Sequence, residues 1–483
     1  MLTIFTALSL INIIFSDTVN YNLQLIDQVQ IENASNNYGV SDVWGYTDET
    51  GLEYAIIGYE FGTHIYKVTD FETILISDII GPSSGDYYYH RDYKTLGDYL
   101  YIVNEMYGGD IGMQVIDLSP LPENLPIQLT TYNQMAQSHN LWIDVDSELA
   151  FIEHQNGDNI HIADLSNPAF PEYAGTFGNQ GLNCHDIYTR NNIAYVSEGW
   201  SYQFAIYDIS NLNNINQLAI IPSEGYAHNA WLNDSGTHLI TTEETEEKTI
   251  KIWDITNLNN IELVGEYLGE NELAHNVHVL NDLLYISHYT TGLKIVDIFN
   301  PERPIEVAAF DTYPLNNEDG YYGCWGAYPF TNNNYIYASD MQNGLYVFNY
   351  QEVYAGYING ILYNDNSPIA NASIKSLLNN KMYYTDQNGY FDFGHASGLH
   401  DFLINDSDII EINIIPRQES SQNYFINNNL LGDINEDNNI DVLDVVLTVN
   451  IVFNNNYNFL SDLNQDEQVN IQDIVLLVNL ILN

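Results

Sequence analysis

Cysteine and basic residues are scarce in this chain of 483 residues. Only Cys184 and Cys324 are present, which excludes a disulfide-rich scaffold. Lys and Arg together number 11 against 65 Asp and Glu, so the formal net charge is −54. A surface of this charge repels nucleic acids and anionic membranes. We interpret the acidity either as adaptation of a secreted protein to saline surroundings or as the sign of a dedicated cation-binding role.

Long apolar runs and common catalytic motifs are also missing. Beyond the N-terminus, no stretch of the sequence is long enough for a transmembrane helix. The chain contains no HExxH, GxSxG, P-loop or dinucleotide-binding motif. Residues 1–16 are apolar and end in small residues, which is typical of the hydrophobic region of a signal peptide, although no Lys or Arg precedes them. We therefore predict a signal peptide at 1–16 and an extracellular location, either secreted or associated with the cell surface.

One short apolar pattern recurs seven times between residues 63 and 350. Its copies start 43 to 52 residues apart and read THIYKV, MQVIDL, IHIADL, FAIYDI, IKIWDI, LKIVDI and LYVFNY. This period is that of a four-stranded propeller blade. Apolar runs separated by Asp, Asn, Gly and Pro indicate strands and turns. We predict a mainly β protein in which residues 20–350 form a seven-bladed β-propeller.

Closure of such a ring normally uses a strand from the other terminus of the chain. The seventh unit ends at Tyr350 without an outer strand, whereas residues 23–31 resemble outer strands and have no blade of their own. We expect this N-terminal strand to complete the seventh blade. The two cysteines fall in blades four and seven, so we expect two separate, buried thiols.

A polar or aromatic signature opens the first strand of each blade. Trp44 and Trp325 open two blades, and histidine opens the other five, at His90, His139, His185, His228 and His275. About fourteen residues later the second strand ends on another polar group, at Glu105, Glu153, Glu198, Glu243, His288 and Asp340. In an antiparallel blade these two points lie at the same end of the sheet, so we expect these side chains to converge on one mouth of the central channel.

Three interpretations of this constellation remain open. The side chains could cap strand ends without any chemistry. They could form a site for a divalent metal or an anionic substrate, since neutral imidazole and carboxylate are natural ligands of Zn, Mn, Fe or Ni. They could also catalyse a reaction. The spacing of the repeats does not tell which histidines approach one another.

The propeller resembles the choice-of-anchor B family, which is built from LVIVD repeats. The resemblance covers residues 20–350 and rests on the segments SDVWGYTD at 41–48, HRDYKT at 90–95, SHNLWID at 138–144, NCHDIY at 183–188, AHNAWL at 227–232, LAHNVHV at 273–279, YTTGLKIVDI at 289–298 and CWGAYPF at 324–330. It implies a secreted or surface-displayed propeller followed by a variable attachment module. It implies no catalytic residues.

After Tyr350 the pattern changes to strands of a different spacing. The order G-x-I-x-G, a turn with Pro, T-D-x-x-G-x-F-x-F and a closing apolar strand resembles a carboxypeptidase regulatory-like β-sandwich over residues 351–416. Such modules are mostly spacers, and sugar binding is the other use that this resemblance implies. The polar stretch that follows predicts a linker at 417–430.

Two acidic loops near the C-terminus carry the clearest chemistry. Residues 433–444 and 462–473 place oxygen-bearing side chains at positions 1, 3, 5, 9 and 12, with a backbone carbonyl at position 7, as in an EF-hand. This pattern selects Ca²⁺ over Zn²⁺ and predicts two Ca²⁺ ions. The predicted ligands are Asp433, Asn435, Asp437, Asn439, Asp441 and Asp444 in the first loop, and Asp462, Asn464, Asp466, Gln468, Asn470 and Asp473 in the second.

An apolar helix is predicted after each loop, and the duplicated unit at 431–483 resembles a type I dockerin. The resemblance implies calcium-dependent folding, docking to a cohesin and association with extracellular polysaccharide breakdown. The positions that match the partner-selecting pairs are Val442 with Leu443 and Ile471 with Gln472. Most of these positions are apolar where polar residues are common, and both loops lack the glycine usual at position 6. The two departures leave the cohesin partner open, with a surface-retention or self-association role as the alternative.

Two functions follow from these features. The first is a non-catalytic interaction propeller, with a polysaccharide or protein ligand, attached through residues 431–483 to a cohesin-like or other protein partner. The alternative is an extracellular hydrolase or lyase that acts on a polysaccharide at the histidine-lined mouth. An enzyme would lose activity when His139, His228 or Glu153 is changed, whereas a scaffold would lose only stability.

Overall fold

A computed structural model describes residues 20–31, 39–82, 90–106, 112–153, 159–178, 183–269, 273–314, 320–364, 367–426, 431–435, 437, 439–454, 456–464, 466 and 468–482. The predicted signal peptide at 1–16 and the last four residues of the predicted linker lie outside these ranges. The chain forms two compact units, of which the first contains the repeats and the second most of residues 357–483. Each unit is described by itself below.

Seven four-stranded antiparallel sheets make up the first unit. The first three are β2 Val40–Thr47, β3 Glu53–Tyr59, β4 Gly62–Val68 and β5 Thr73–Ile80; β6 Arg91–Leu96, β7 Tyr99–Asn104, β8 Met113–Asp117 and β9 Ile127–Tyr132; and β10 Leu141–Asp144, β11 Leu149–Glu153, β12 Ile160–Asp164 and β13 Glu172–Phe177. The next two are β14 Asp186–Arg190, β15 Ile193–Ser197, β16 Gln203–Asp208 and β17 Asn216–Pro222; and β18 Ala227–Leu232, β19 His238–Glu243, β20 Ile250–Asp254 and β21 Glu262–Tyr267. The last two are β22 Val277–Leu280, β23 Leu283–Ser287, β24 Leu293–Asp297 and β25 Ile305–Phe310; and β26 Cys324–Tyr328, β27 Tyr335–Asp340, β28 Gly344–Asn349 and β1 Gln24–Val29.

The seven sheets close into a ring through their innermost strands. Strand β2 contacts β6, and the contacts continue in order through β10, β14, β18 and β22 to β26, which contacts β2 again. The inner strands are almost entirely buried, whereas the outer strands alternate between exposed and buried positions. This is the architecture of a seven-bladed β-propeller.

The seventh blade takes its outer strand from the N-terminal end of the chain. Strand β1 pairs antiparallel with β28, with Leu25 opposite Phe348 and Val29 opposite Leu345. This is the place that the repeat pattern assigned to residues 23–31. Just before β1, the backbone of Tyr21 pairs with Ala309 of the sixth blade. The ring is therefore closed by hydrogen bonds from one terminal segment to two adjacent blades.

Five copies of the recurring pattern carry Asp at their fifth position, and this Asp has a structural role. In five blades the carboxylate of this Asp accepts a hydrogen bond from the backbone N–H two residues later, at Asp117, Asp164, Asp208, Asp254 and Asp297. Such Asx-type bonds start the turn into the outer strand. Both cysteines are buried and unpaired, which confirms the expectation of separate thiols.

The second unit begins with a β-sandwich. One sheet contains β29 Ala355–Asn364, β30 Ser367–Pro368, β33 Tyr390–Ala396, β36 Glu419–Ser421 and β37 Tyr424–Ile426. The other contains β31 Ser373–Ser376, β32 Met382–Tyr384, β34 Gly398–Ile404 and β35 Asp408–Ile414. Side chains from both sheets share one apolar core that includes Phe391 and Phe402.

The predicted linker at 417–430 is wrong over residues 419–426, because β36 and β37 lie there. Both strands run parallel to β29. Tyr424 and Ile426 point into the sandwich core, whereas Phe425 between them is exposed. This alternation is a strand signal that the surrounding Asn, Gln and Ser residues obscure in the sequence.

The C-terminal segment contains two helices, α1 Val442–Phe453 and α2 Ile471–Leu482, which contact each other, and one turn of 3-10 helix at Phe459–Ser461. The predicted apolar helices have these bounds. Asp441 caps α1, since its side chain accepts the N–H of Leu443. Among the described residues, no helix has the length and apolar character needed to cross a bilayer.

Candidate functional site at the propeller mouth

Six aromatic side chains form a closed ring at one mouth of the channel. They are the five signature histidines and Trp325. Successive ring centroids are 3.8 Å apart for His90–His139, 4.7 Å for His139–His185, 4.1 Å for His185–His228, 4.5 Å for His228–His275, 4.2 Å for His275–Trp325 and 5.5 Å for Trp325–His90. The structure thus brings together all five histidines that the sequence placed here.

The first blade does not contribute an aromatic side chain to this ring. Trp44 lies further along its strand, where it contacts Tyr328 and His278. Those residues follow Trp325 and His275 by three positions, so Trp44 corresponds to them and Ser41 stands at the mouth position of the first blade. The expectation that Trp44 belongs to the same set as the histidines is therefore wrong by three residues. A local alignment on the aromatic residue three positions after each histidine would have revealed the shift.

Two of the predicted carboxylates face the histidine ring. Glu105 Oε1 lies 3.1 Å from His139 Nδ1, and Glu105 Oε2 lies 3.9 Å from His90 Nδ1. Glu153 Oε2 accepts a 2.7 Å hydrogen bond from the backbone N–H of His139. Both glutamates border the open cavity above the ring.

The other four predicted residues do not border this cavity and instead stabilise the strand ends. Glu198 accepts a hydrogen bond from the hydroxyl of Tyr207, and Glu243 forms a 2.9 Å ion pair with Lys251. His288 Nδ1 is 2.9 Å from Thr291 Oγ1. The carboxylate of Asp340 accepts hydrogen bonds from the hydroxyl of Thr312 and from two backbone N–H groups. For these four the capping interpretation describes the contacts in the structure.

Several side chains of the site escaped the sequence analysis. The most important is Glu244, the neighbour of the predicted Glu243. Glu244 Oε2 lies 3.5 Å from His228 Nε2 and the hydroxyl of Tyr289 donates to Glu244 Oε1. A one-residue irregularity in the pairing of β18 with β19, between Ala227 and Asn229, accompanies this change of facing residue. The repeat register alone could not reveal it.

Aromatic side chains build two walls above the ring. On one side Trp200 packs edge-on against Tyr226 at 4.8 Å, and Tyr226 packs against His185 at 5.2 Å. On the other side Tyr321 packs against Tyr289 at 5.4 Å, and Tyr289 packs against His275 at 5.2 Å. Trp200 is 67% exposed, so the outer edge of the first wall faces solvent.

The mouth cavity enclosed by these residues has a volume of about 840 Å³. Four glutamates line it, at Glu105, Glu153, Glu224 and Glu244, together with four of the five histidines. Among the lining residues that the structure describes there is no Lys or Arg. The mouth cavity therefore combines acceptor oxygens, imidazoles and aromatic faces, and its described lining contains neither Lys nor Arg.

Burial sets the protonation of the ring. It lowers the pKa of His90 and of His228 to about 3 each, and it lowers the pKa of His185 and of His275 well below the usual value. These four imidazoles are therefore neutral at pH 7.

His139 differs from the other four histidines. Burial opposes its charge, but the hydrogen bond and charge of Glu105 outweigh burial and raise the pKa of His139 to about 9. Burial also opposes the charge of Glu105, yet His139 holds the pKa of that carboxyl at about 2. Burial raises the pKa of Glu153 to about 7. The mouth thus contains one ion pair among neutral rings.

Below the ring the channel narrows to a polar layer. Its side chains are Asp42, Asp92, Lys94, Asn140, Asp186, Asn229 and Asn276, around a space of about 30 Å³. Lys94 Nζ bonds Asp92 Oδ1 at 2.7 Å, and Asn229 donates to Asp186 Oδ2 at 2.6 Å. Burial, followed by the charge of Asp92, raises the pKa of Asp42 well above its usual value. An ion pair and a hydrogen bond between its own side chains therefore help to hold the layer together.

An aromatic plug follows the polar layer. It consists of Trp44, Trp142, Tyr188, Trp231, His278, Tyr328 and Phe330. Trp142 packs edge-on against Trp231 at 5.2 Å, and Trp231 stacks on Phe330 at 5.8 Å. Trp142, Tyr188, Trp231 and His278 of the plug also line the small space of the polar layer, so the plug lies directly against that layer.

Two groups in the mouth have the composition of a metal site. They are His90 with Glu105 and His139, and His228 with Glu244 and His275; in each group one ligand atom from every residue lies within 4.8 Å of the others. Two imidazoles and one carboxylate suit divalent transition metals. The structure therefore offers two candidate sites across one cavity.

The C-terminal loops offer a different set of donors. The carboxylates at loop positions 1 and 12 are buried, at Asp433, Asp444, Asp462 and Asp473. Asp444 accepts the N–H groups of Ile434 and Asp441, and Asp473 accepts those of Asn464 and Asn470. In each loop the predicted ligand at position 3 donates a hydrogen bond to the one at position 5. Asn435 donates to Asp437 in the first loop, and Asn464 donates to Asp466 in the second. Buried carboxylates on oxygen-only loops fit Ca²⁺.

Comparison with known protein families gives a match over part of the chain. The LVIVD repeat, a repeat associated with β-propellers, matches residues 273–312. This segment contains His275 and the whole of the sixth blade, from β22 to β25. No curated protein matches the chain. The match agrees with the propeller fold and extends over one blade.

Proposed function

We propose that this protein is an extracellular binding protein whose propeller mouth holds an uncharged polysaccharide chain. The mouth cavity of about 840 Å³ between two aromatic walls carries this proposal. Aromatic faces cover the apolar C–H faces of sugars, while carboxylates and imidazoles accept hydrogen bonds from hydroxyl groups. An anionic polymer would meet four glutamates and no Lys or Arg among the lining residues, so an uncharged chain suits the cavity better.

The binding experiment uses the full chain and two variants of it, one that lacks a tryptophan and one that lacks a tyrosine. Retardation of the protein in gels that contain uncharged or acidic polysaccharides measures affinity directly. We expect Trp200→Ala to weaken binding at least tenfold, because Trp200 forms the exposed edge of one wall. Tyr384→Ala in the sandwich removes a comparably exposed aromatic ring and is the matched control.

Three results would contradict this function. Retardation only by acidic polysaccharides would contradict the argument that the negative charge of the cavity favours an uncharged chain. Equal binding by Trp200→Ala and Tyr384→Ala would place the ligand elsewhere. Release of new reducing ends during incubation would instead favour the alternative function, a hydrolase or lyase of polysaccharides.

We further propose that residues 431–483 attach the propeller to a protein partner of the cohesin class and fold around two Ca²⁺ ions. The twelve predicted loop ligands support the calcium, and the helices expose apolar side chains that a partner could cover, among them Val442, Leu443 and Ile471. The choice-of-anchor B and carboxypeptidase regulatory-like resemblances, together with the apolar N-terminus, support export and surface display. Calcium-dependent co-elution with a cohesin tests the partner; co-elution that survives a chelator would contradict it.

A further inference from the structure

The two His–Glu–His groups in the mouth differ in the distance between their imidazole and carboxylate atoms. In the first, His139 Nδ1 and Glu105 Oε1 make a direct 3.1 Å contact, so imidazole and carboxylate satisfy each other. In the second, His228 Nε2 and Glu244 Oε2 are 3.5 Å apart. The second group therefore has the more open arrangement of potential ligand atoms.

Hydrogen bonds from neighbouring groups orient the second site. His275 Nδ1 donates to the backbone carbonyl of Trp325, which fixes the tautomer and leaves the lone pair of His275 Nε2 available. The hydroxyl of Tyr289 donates to one oxygen of Glu244, whose other oxygen faces His228. A carbonyl on the far nitrogen of a histidine and a donor on a ligating carboxylate are the usual supporting contacts of protein metal sites.

The side chains also hold their positions firmly. His228 and His275 are each 2% exposed, and their rings pack at 4.5 Å. They come from the same position of adjacent blades, so the ring of sheets fixes their separation. Preorganised ligands of this kind lose little freedom when a metal binds.

The charge of the surroundings favours a cation at this point. Glu153 and Glu224 line the same cavity as Glu244, and no Lys or Arg is among the lining residues. A metal ion bound to one carboxylate and two imidazoles would offset this excess of negative charge.

We propose that His228, Glu244 and His275 bind one divalent transition metal ion of the zinc class, with a remaining coordination position that opens to the mouth cavity. Two nitrogen donors and one oxygen donor select such a metal over Ca²⁺ or Mg²⁺, which prefer oxygen alone. The inference deepens the proposed function and rests on it, because an oxygen atom of the bound ligand would take the open position.

The test is a calorimetric titration of the full chain with Zn²⁺ in millimolar Ca²⁺, so that the oxygen-only C-terminal loops are already occupied. We expect one tight equivalent of Zn²⁺. Glu244→Gln keeps the shape of the side chain and removes its charge, and it should weaken Zn²⁺ binding at least tenfold. Replacement of Zn²⁺ by Co²⁺ gives a visible absorption band that reports the ligand set independently of the heat of binding.

Two matched controls make the assignment specific. Glu224→Gln removes a charge from the same cavity but no proposed ligand, and Glu105→Gln removes the carboxylate of the other group. Both should retain the tight equivalent. Loss of Zn²⁺ binding in Glu105→Gln with unchanged binding in Glu244→Gln would overturn the proposal, as would the absence of a tight equivalent in the unsubstituted chain. Polysaccharide binding is measured separately in the presence of a chelator. Binding that persists there would leave the proposed function standing even if the metal site fails.

Discussion

The propeller mouth and the C-terminal loops both gather carboxylates, but they draw them from very different lengths of chain. Each loop takes its six predicted ligands from twelve consecutive residues. The mouth takes His90, Glu105, Glu244 and His275 from three blades, over almost two hundred residues. The loops are oxygen-only, whereas the mouth mixes nitrogen and oxygen donors.

This difference determines what holds each site in place. A loop that carries all its ligands needs the ion itself to offset the repulsion of its own carboxylates. The mouth receives its geometry from a closed ring of sheets, with a polar layer and an aromatic plug packed inside that ring. We therefore expect folding to depend on metal in the loops and not in the mouth.

Calcium removal should have the largest effect. A calcium chelator added to the full chain should abolish the protection of backbone amides in α1 and α2, while amides of the inner propeller strands keep theirs. Amide hydrogen exchange read by mass spectrometry measures both regions in one sample. Renewed protection on addition of Ca²⁺ is the control, and protection of α1 and α2 that survives the chelator would contradict calcium-dependent folding.

Loss of the plug should affect the propeller alone. Trp231 contacts Trp142, Tyr188, His278 and Phe330, so Trp231→Ala should cost about 3–5 kcal/mol of unfolding free energy. Denaturant unfolding followed by tryptophan fluorescence measures this loss, and calcium binding by the loops serves as the unaffected reference. A change below about 1 kcal/mol would mean that the plug does not hold the ring together.

The adjacent glutamates Glu243 and Glu244 should behave in opposite ways. Glu243→Gln breaks a buried ion pair with Lys251 and should cost about 3 kcal/mol of stability without changing Zn²⁺ affinity. Glu244→Gln should weaken Zn²⁺ binding and cost little stability. Melting temperatures and Zn²⁺ titrations on the two variants test this pair, and equal losses of stability would contradict the division into a capping and a binding residue.

Acid should destabilise the propeller through His278. Burial, followed by the charge of Lys94, lowers the pKa of His278 to about 3 in the folded protein, whereas an unfolded histidine has a pKa near 6.5. The unfolded state therefore binds the proton first as pH falls. The contribution of His278 to stability is lost from about pH 6.5 down to about pH 3, and this loss amounts to about 2 kcal/mol between pH 7.5 and pH 5.

His278→Tyr is the matched variant for this effect, because Tyr188 and Tyr328 occupy the same position in other blades. It should flatten the dependence of the unfolding free energy on pH between 7.5 and 5 by about the same 2 kcal/mol. A variant with an unchanged dependence would show that other groups carry the acid sensitivity.

The sequence was a good guide where position in the repeat determines position in space. The seven blades and the convergence of all five histidines follow from regular spacing, because each histidine opens an inner strand of the same ring. The bounds of α1 and α2 also follow from a local pattern, since each helix begins after a loop with fixed ligand spacing.

The carboxylates of the site were harder to predict, because one residue decides which way a side chain points at a strand end. Glu198 turns to Tyr207, while Glu153 at the equivalent position in the preceding blade borders the cavity. The irregularity in the fifth blade exchanges Glu243 for Glu244. Trp44 was misplaced for a similar reason, since the repeat pattern does not fix the register within a strand. Such local shifts change the facing residue without changing the repeat length.

The most direct test of a metal-binding mouth is anomalous diffraction from crystals of the full chain grown with Zn²⁺ and saturating Ca²⁺, with data collected on both sides of the zinc absorption edge. The account predicts a zinc peak among His228, Glu244 and His275, with bonds of about 2.0–2.2 Å. Zinc peaks confined to the C-terminal loops, or no zinc peak in the propeller, would contradict it.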